Sequence, residues 1–171
     1  MCFLDMTDRP DRYDIPDLIG RYPNVMILRA FTKSYSMAGI RLGYAISSDG
    51  GLLETMSEKT QCWNVSSVAQ IAGEAALECT GWLRESVRKI SAERARMTEA
   101  LVSAGIEVWP SEANYLLLRT DADLYGEMLK RRILIRDCSN YEGLGKGYYR
   151  IAIRTEKENE LFLNALREVY R

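Results

Sequence analysis

The chain has 171 residues, 47% of them apolar, and 23 Lys plus Arg nearly balance 24 Asp plus Glu for a net charge of −1. That length and apolar content suffice for a sizeable core, while the charge balance gives no electrostatic case for nucleic acid or an anionic membrane as partner. Histidine is absent, and Cys2, Cys62, Cys79 and Cys138 show no Cys-x-x-Cys spacing, which removes histidine-based zinc sites, Ser-His and Cys-His nucleophile pairs and histidine acid–base catalysis.

In chain order, the N-terminal stretch with Asp5, Asp8 and Asp11 lacks the basic-then-apolar layout of a signal, and no apolar run approaches the roughly 20 residues of a membrane span; the expectation is a cytosolic protein. Residues 14–20 read as a short helix closed by Gly20, residues 25–30 as a buried strand and residues 41–47 as a second strand. Their continuous apolar runs predict strands covered on both faces, as in a mostly parallel sheet. Helical spacing follows at 52–61 and 64–79, with a break at Thr80-Gly81. Leu83, Val87, Ile90, Ala95, Met97 and Leu101 outline a long amphipathic helix over 82–104, ended by Gly105. Strands at 106–109, 114–119, 133–136 and 148–153, with helices at 122–131 and 156–170, complete a compact α+β unit.

The most informative run is Arg29-Ala30-Phe31-Thr32-Lys33-Ser34-Tyr35-Ser36-Met37-Ala38-Gly39-Ile40-Arg41-Leu42-Gly43-Tyr44. A lysine after an apolar strand, then a small-residue turn and Gly-x-Arg-x-Gly-Tyr, resembles the cofactor-lysine motif of fold type I pyridoxal-phosphate enzymes. Within that superfamily it is most similar to the histidinol-phosphate aminotransferase and threonine-phosphate decarboxylase branch of the class I/II aminotransferases. The chemistry needs an amine that sheds its proton near neutral pH and condenses with the cofactor aldehyde. The resemblance implies that Lys33 is this catalytic amine, that Thr32 and Arg41 help bind pyridoxal 5'-phosphate, and that a bidentate guanidinium at Arg41 holds its phosphate.

It also implies the fold class: α/β, with residues 1–80 as the C-terminal part of a large cofactor-binding domain and 81–171 as the linking helix and small α+β domain. Family members run to about twice this length. Their pyridine-pairing Asp, Gly-rich phosphate loop, stacking aromatic and ring-oxygen Asn all fall before Met1, so the expectation is an inactive fragment, and a homodimer in the complete form. Two departures lie within the matched part: Ala30 stands where many relatives carry a phosphate-binding Ser or Thr, and Phe3 where many aminotransferases carry Tyr.

A second constellation runs Ile133-Leu134-Ile135-Arg136-Asp137-Cys138-Ser139-Asn140-Tyr141, then Tyr148-Tyr149-Arg150-Ile151-Ala152-Ile153-Arg154. A planar guanidinium clamps a carboxylate through two parallel hydrogen bonds. By resemblance, Arg150 binds the carboxylate of an amino-acid substrate and Arg136 reaches a substrate phosphate; Arg136 reads equally as an exposed strand-end residue. Arg154 stands where aminotransferase relatives often have Gly, and Arg136-Asp137-Cys138-Ser139-Asn140-Tyr141 followed by Gly143-Leu144 resembles the decarboxylase side, which tilts the subgroup that way. Gln61-Cys62-Trp63-Asn64-Val65-Ser66-Ser67 reads as a segment near the site or as a helix start, capped by Asn64 or Ser66 with Trp63 packed before it. Asn114 is expected to fix a turn, and Tyr35 to be a packed ring rather than a proton carrier. These readings give a PLP-dependent aminotransferase of class I/II acting, in complete form, on a phosphorylated amino acid or amino alcohol. The alternatives are a threonine-phosphate decarboxylase and, from another class, a non-catalytic interaction domain.

Overall fold

The computed structural model describes residues 3–170, which divide into two compact units at Ser86/Val87. Met1 and Cys2, on which part of the fragment expectation rests, lie outside the described residues.

The first unit opens with short 3-10 turns at Leu4–Met6 and Pro10–Arg12, then helix α1 (Pro16–Arg21), strand β1 (Met26–Ala30) and the four-residue helix α2 (Phe31–Ser34). A 3-10 turn at Ala38–Ile40 leads to β2 (Gly43–Ser47), followed by α3 (Gly50–Lys59) and α4 (Ser67–Glu78). α5 (Thr80–Ser103) begins in this unit. β1 and β2 pair antiparallel, with Met26 opposite Ser47 and Ala30 opposite Gly43. Gly43 is sterically required there, because a Cβ would meet the Arg29 carbonyl oxygen at 2.8 Å. α4 turns a face of small residues inward, Ala69, Gly73 and Ala76; a Cβ on Gly73 would lie 2.5 Å from Leu42 and 3.9 Å from the Phe31 ring. Small residues thus seat α4 close against the segment that carries Lys33.

The second unit contains β3 (Glu107–Val108), β4 (Tyr115–Arg119), α6 (Leu124–Lys130), β5 (Arg136–Asp137), β6 (Tyr148–Ala152) and α7 (Glu156–Val169). Its sheet order is β3-β4-β6-β5, all antiparallel. Alternation along β4 and β6 buries Leu116, Leu118, Tyr149 and Ile151 on one face, where they meet Met97 and Leu101 of α5, Met128 of α6 and Phe162 and Leu166 of α7 in a single core. The opposite face carries Tyr115, Leu117 and Arg150 and is only half-buried.

Four expectations are corrected. Both sheets are antiparallel throughout the described residues, not mostly parallel: residues 31–42 between β1 and β2 hold only a four-residue and a three-residue helical turn, too little helix to cross over a sheet. Gly20 lies inside α1, which ends at Tyr22 in extended backbone rather than at a left-handed glycine. The helix break falls at Cys79, and α5 includes Thr80 and Gly81. Ile133–Ile135 precede rather than form β5, which is confined to Arg136 and Asp137. Among the described residues no helix is long and apolar enough to cross a membrane.

Candidate active site

Lys33 owes its orientation to its neighbours in α2. Phe31 and Ser34 are buried, 7% and 1% exposed, so a single helical turn that hides positions 31 and 34 turns position 33 to solvent. Thr32 is half-buried beside it. The Phe31 ring is itself packed, 5.4 Å from Tyr35 and 6.1 Å from Tyr44, and Tyr35 stacks on Trp82 at 6.2 Å. Tyr35 is therefore a packed ring; burial, with Asp5 adding to it, pushes its phenol above the ordinary tyrosine range. The Lys33 Nζ lies 5.8 Å from the centre of the Phe3 ring, and among the described residues it has no acceptor or ion-pair partner. Ala30, the residue before α2, provides no side-chain cap.

Beyond α2 the backbone turns left-handed at Ser36 and at Arg41, φ 56° and 60°. Arg41 is exposed, and its Nη1 donates to the Ala38 carbonyl at 3.1 Å. No other partner engages its guanidinium among the described residues, so most of its fork is open to an anion. An accessible amine, a neighbouring hydroxyl and an open guanidinium on one short segment are the donor types that a phosphorylated aldehyde requires.

Beneath this segment lies a charged network with no counterpart in the sequence-level site. Arg29, on β1, donates from Nη1 to Asp5 at 2.8 Å and from Nη2 to Asp14 at 2.7 Å. The other Asp5 oxygen accepts the Ser34 hydroxyl at 2.9 Å. Burial opposes the Arg29 charge, but Asp14 and Asp5 outweigh it and raise the guanidinium above its ordinary value. The available signal was a charged residue inside the apolar run Val25–Leu28 and Ala30, facing a segment rich in aspartate.

In the second unit Arg136 and Arg150 are direct cross-strand partners on β5 and β6, so both side chains share one face. They border a cavity of about 730 Å³ together with Tyr125, Leu134, Ser139 and Asn140. Arg150 is half-buried with its guanidinium 5.3 Å over the Tyr115 ring, and no hydrogen-bond acceptor or carboxylate engages it among the described residues. Arg136 is oriented by Asn140 Oδ1 at 3.1 Å and by the Tyr141 ring at 5.4 Å. The amide and hydroxyl of Ser139, with Arg136 behind them, hold the Asp137 carboxyl below its usual range. Cys138 is 3% exposed; burial pushes its thiol up against the pull of Arg150 and Arg136.

Three other stretches singled out in the sequence are placed as follows. Ser66 caps α4, its Oγ accepting from the Ala69 amide at 3.2 Å, but Trp63 is 95% exposed at φ 60° rather than packed. The turn at 111–114 is held by Ser111, whose Oγ donates to the Tyr115 carbonyl at 2.7 Å and accepts from the Ala113 amide, whereas Asn114 Oδ1 is buried without a partner. Arg154 donates from Nε to Glu158 at 3.0 Å, committing it to the start of α7.

The lysine-bearing turn lies in one unit and the paired-arginine face in the other. Residues 4–166 match the family described as aminotransferase class I and II, and the chain belongs to that family. Threonine-phosphate decarboxylase of Salmonella typhimurium is 42% identical over 151 residues, 86% of this chain and 42% of that protein. The histidinol-phosphate aminotransferase of Clostridium acetobutylicum superposes with a TM-score of 0.93 at 35% identity, covering 99% of this chain and 52% of that one. The Sinorhizobium meliloti histidinol-phosphate aminotransferase, solved in complex with pyridoxal-5'-phosphate, matches at TM-score 0.80 and 26% identity over 98% of this chain and 46% of its own. The chain spans about half the length of the relatives it matches.

Proposed function

We propose that this chain supplies the lysine-bearing and substrate-anion-binding parts of a pyridoxal-phosphate enzyme that acts, in its complete and homodimeric form, on a phosphorylated amino acid or amino alcohol. On this reading residues 1–80 belong to the large domain and 81–171 form the linking helix and small domain. The observation that carries the reading is the Lys33 amine, exposed and without an acceptor among the described residues, on a turn whose Phe31 and Ser34 side chains are buried. When bound, pyridoxal phosphate supplies an electron sink next to the substrate nitrogen. Lys33 holds it through Nζ and, once released, moves a proton at the substrate α-carbon. Thr32 and the open fork of Arg41 bind the cofactor phosphate. Arg150, stacked on Tyr115 with its donors unused among the described residues, takes the substrate carboxylate, and Arg136 across the ladder takes the second anionic group.

Transamination is the primary reading. The 42% identity to a threonine-phosphate decarboxylase favours loss of carboxylate as the second. The test is borohydride trapping of the 171-residue chain with pyridoxal phosphate, followed by peptide mapping. Lys33 should be labelled above Lys59, Lys89, Lys130, Lys146 and Lys157, and uniform labelling would remove the case for a site.

A further inference from the structure

We propose that Asp5 is a positioning residue for Lys33, acting through the buried hydroxyl of Ser34; the functional meaning rests on the reading of Lys33 as the cofactor-bearing lysine. Asp5 divides its carboxylate between two partners. One oxygen is anchored on β1 by the Arg29 guanidinium at 2.8 Å, and Arg29 is anchored in turn by Asp14 at 2.7 Å. The other oxygen accepts from Ser34, the last residue of α2, at 2.9 Å. The Arg29 side chain is only 14% exposed, against 33% for Asp5 and 29% for Asp14, so these bonds are shielded from the water that weakens surface pairs.

α2 is a single turn with no side-chain cap, and an isolated turn of that length does not hold its own geometry. Tertiary anchors must do so. Phe31 is one, packed beneath α4; Ser34, 1% exposed and hydrogen-bonded to a carboxylate, is the other. The residue between them and adjacent to Ser34 is Lys33. The segment that supplies Asp5 also supplies Phe3, whose ring lies 5.8 Å from the amine. One short stretch therefore fixes both the backbone that carries Lys33 and the surface over which its amine rests.

The test needs no cofactor, so its failure is separable from failure of the trapping experiment. Reductive methylation of the full chain with carbon-13 formaldehyde gives each lysine a dimethyl signal, and Lys33→Arg identifies the one from Lys33. Over the Phe3 ring that signal should stand displaced from the other dimethyl-lysines, and Phe3→Leu should abolish the displacement. Ser34→Ala, and independently Asp5→Ala, should reduce the displacement by at least half. Asp14→Asn removes an ion pair from the same arginine without touching Ser34, and should lower the melting temperature while leaving the signal in place. A displacement retained in both Ser34→Ala and Asp5→Ala, absent from the unaltered chain, or lost equally in Asp14→Asn would overturn the proposal.

Discussion

Arg132 follows α6 with φ at 61°, the left-handed region where a side chain collides with its own backbone. It serves a C-terminal motif: the Ile133 amide donates back to Met128 O and the Arg132 amide to Leu129 O, both at 2.9 Å. Its exposed side chain has no hydrogen-bond or ion-pair partner among the described residues, so glycine would relieve the strain without losing one. Arg132→Gly should stabilise the second unit by about 1 kcal/mol, read as a higher denaturant midpoint with unchanged slope. A strained backbone position of this kind is invisible in a sequence that offers Arg-Arg where a glycine would be expected. Lys33, Arg41 and Arg150 could be singled out as candidates because each sits in a run that resembles a family motif. Asp5, Arg29 and Ser34 were not, since their meeting depends on residues 24 and 29 positions apart in the chain.

α7 shows what an element's own sequence can encode. Thr155 and Glu158 form a reciprocal cap, the Thr155 Oγ1 accepting from the Glu158 amide and the Glu158 carboxylate accepting from the Thr155 amide. Arg154 first, then the Thr155 hydroxyl and amide, hold the Glu158 carboxyl at about 2, against an ordinary value of 4.5. A carboxyl depressed on folding contributes stability above its unfolded value and loses it as the pH falls through its folded one. The melting temperature of Glu158→Gln should accordingly lie below that of the unaltered chain at pH 6, and the gap should close between about pH 4.5 and pH 2. A gap that persists unchanged at pH 2 would show that the cap is not ionic. Helices with clear periodicity, α5 and α7, were placed to within a few residues. The sheet direction was not, because apolar runs report burial and say nothing about which way a neighbouring strand points.

At the scale of the molecule, the described residues distribute their buried apolar side chains unevenly. Residues 1–86 bury six, from Leu4 to Ala76, while residues 87–171 bury sixteen, from Met97 to Leu166. Units of nearly equal length with such different cores should open at different free energies. Limited proteolysis of the chain should cut within residues 1–86 first and leave a resistant piece that begins near Val87; equal resistance of the two would contradict this. Exposed Leu28, Tyr44 and Ile46 on the β1–β2 pair and Val68 and Ile71 on α4 point the same way, since such surface is ordinarily covered. Which unit carries a self-sufficient core was not readable from the sequence, because that depends on how sheet and helices close on each other.

The buried thiol of Cys138 gives the paired-arginine face a clock. It sits directly after β5, its amide donating to the Tyr148 carbonyl at 2.9 Å, whereas Cys62 and Cys79 are exposed. A thiol reagent meets Cys62 and Cys79 at once but reaches Cys138 only during the moments when the end of the β5–β6 ladder parts. The lag of Cys138 behind Cys62 and Cys79 therefore reports local opening at the residue that follows the strand carrying Arg136, in seconds rather than ångströms.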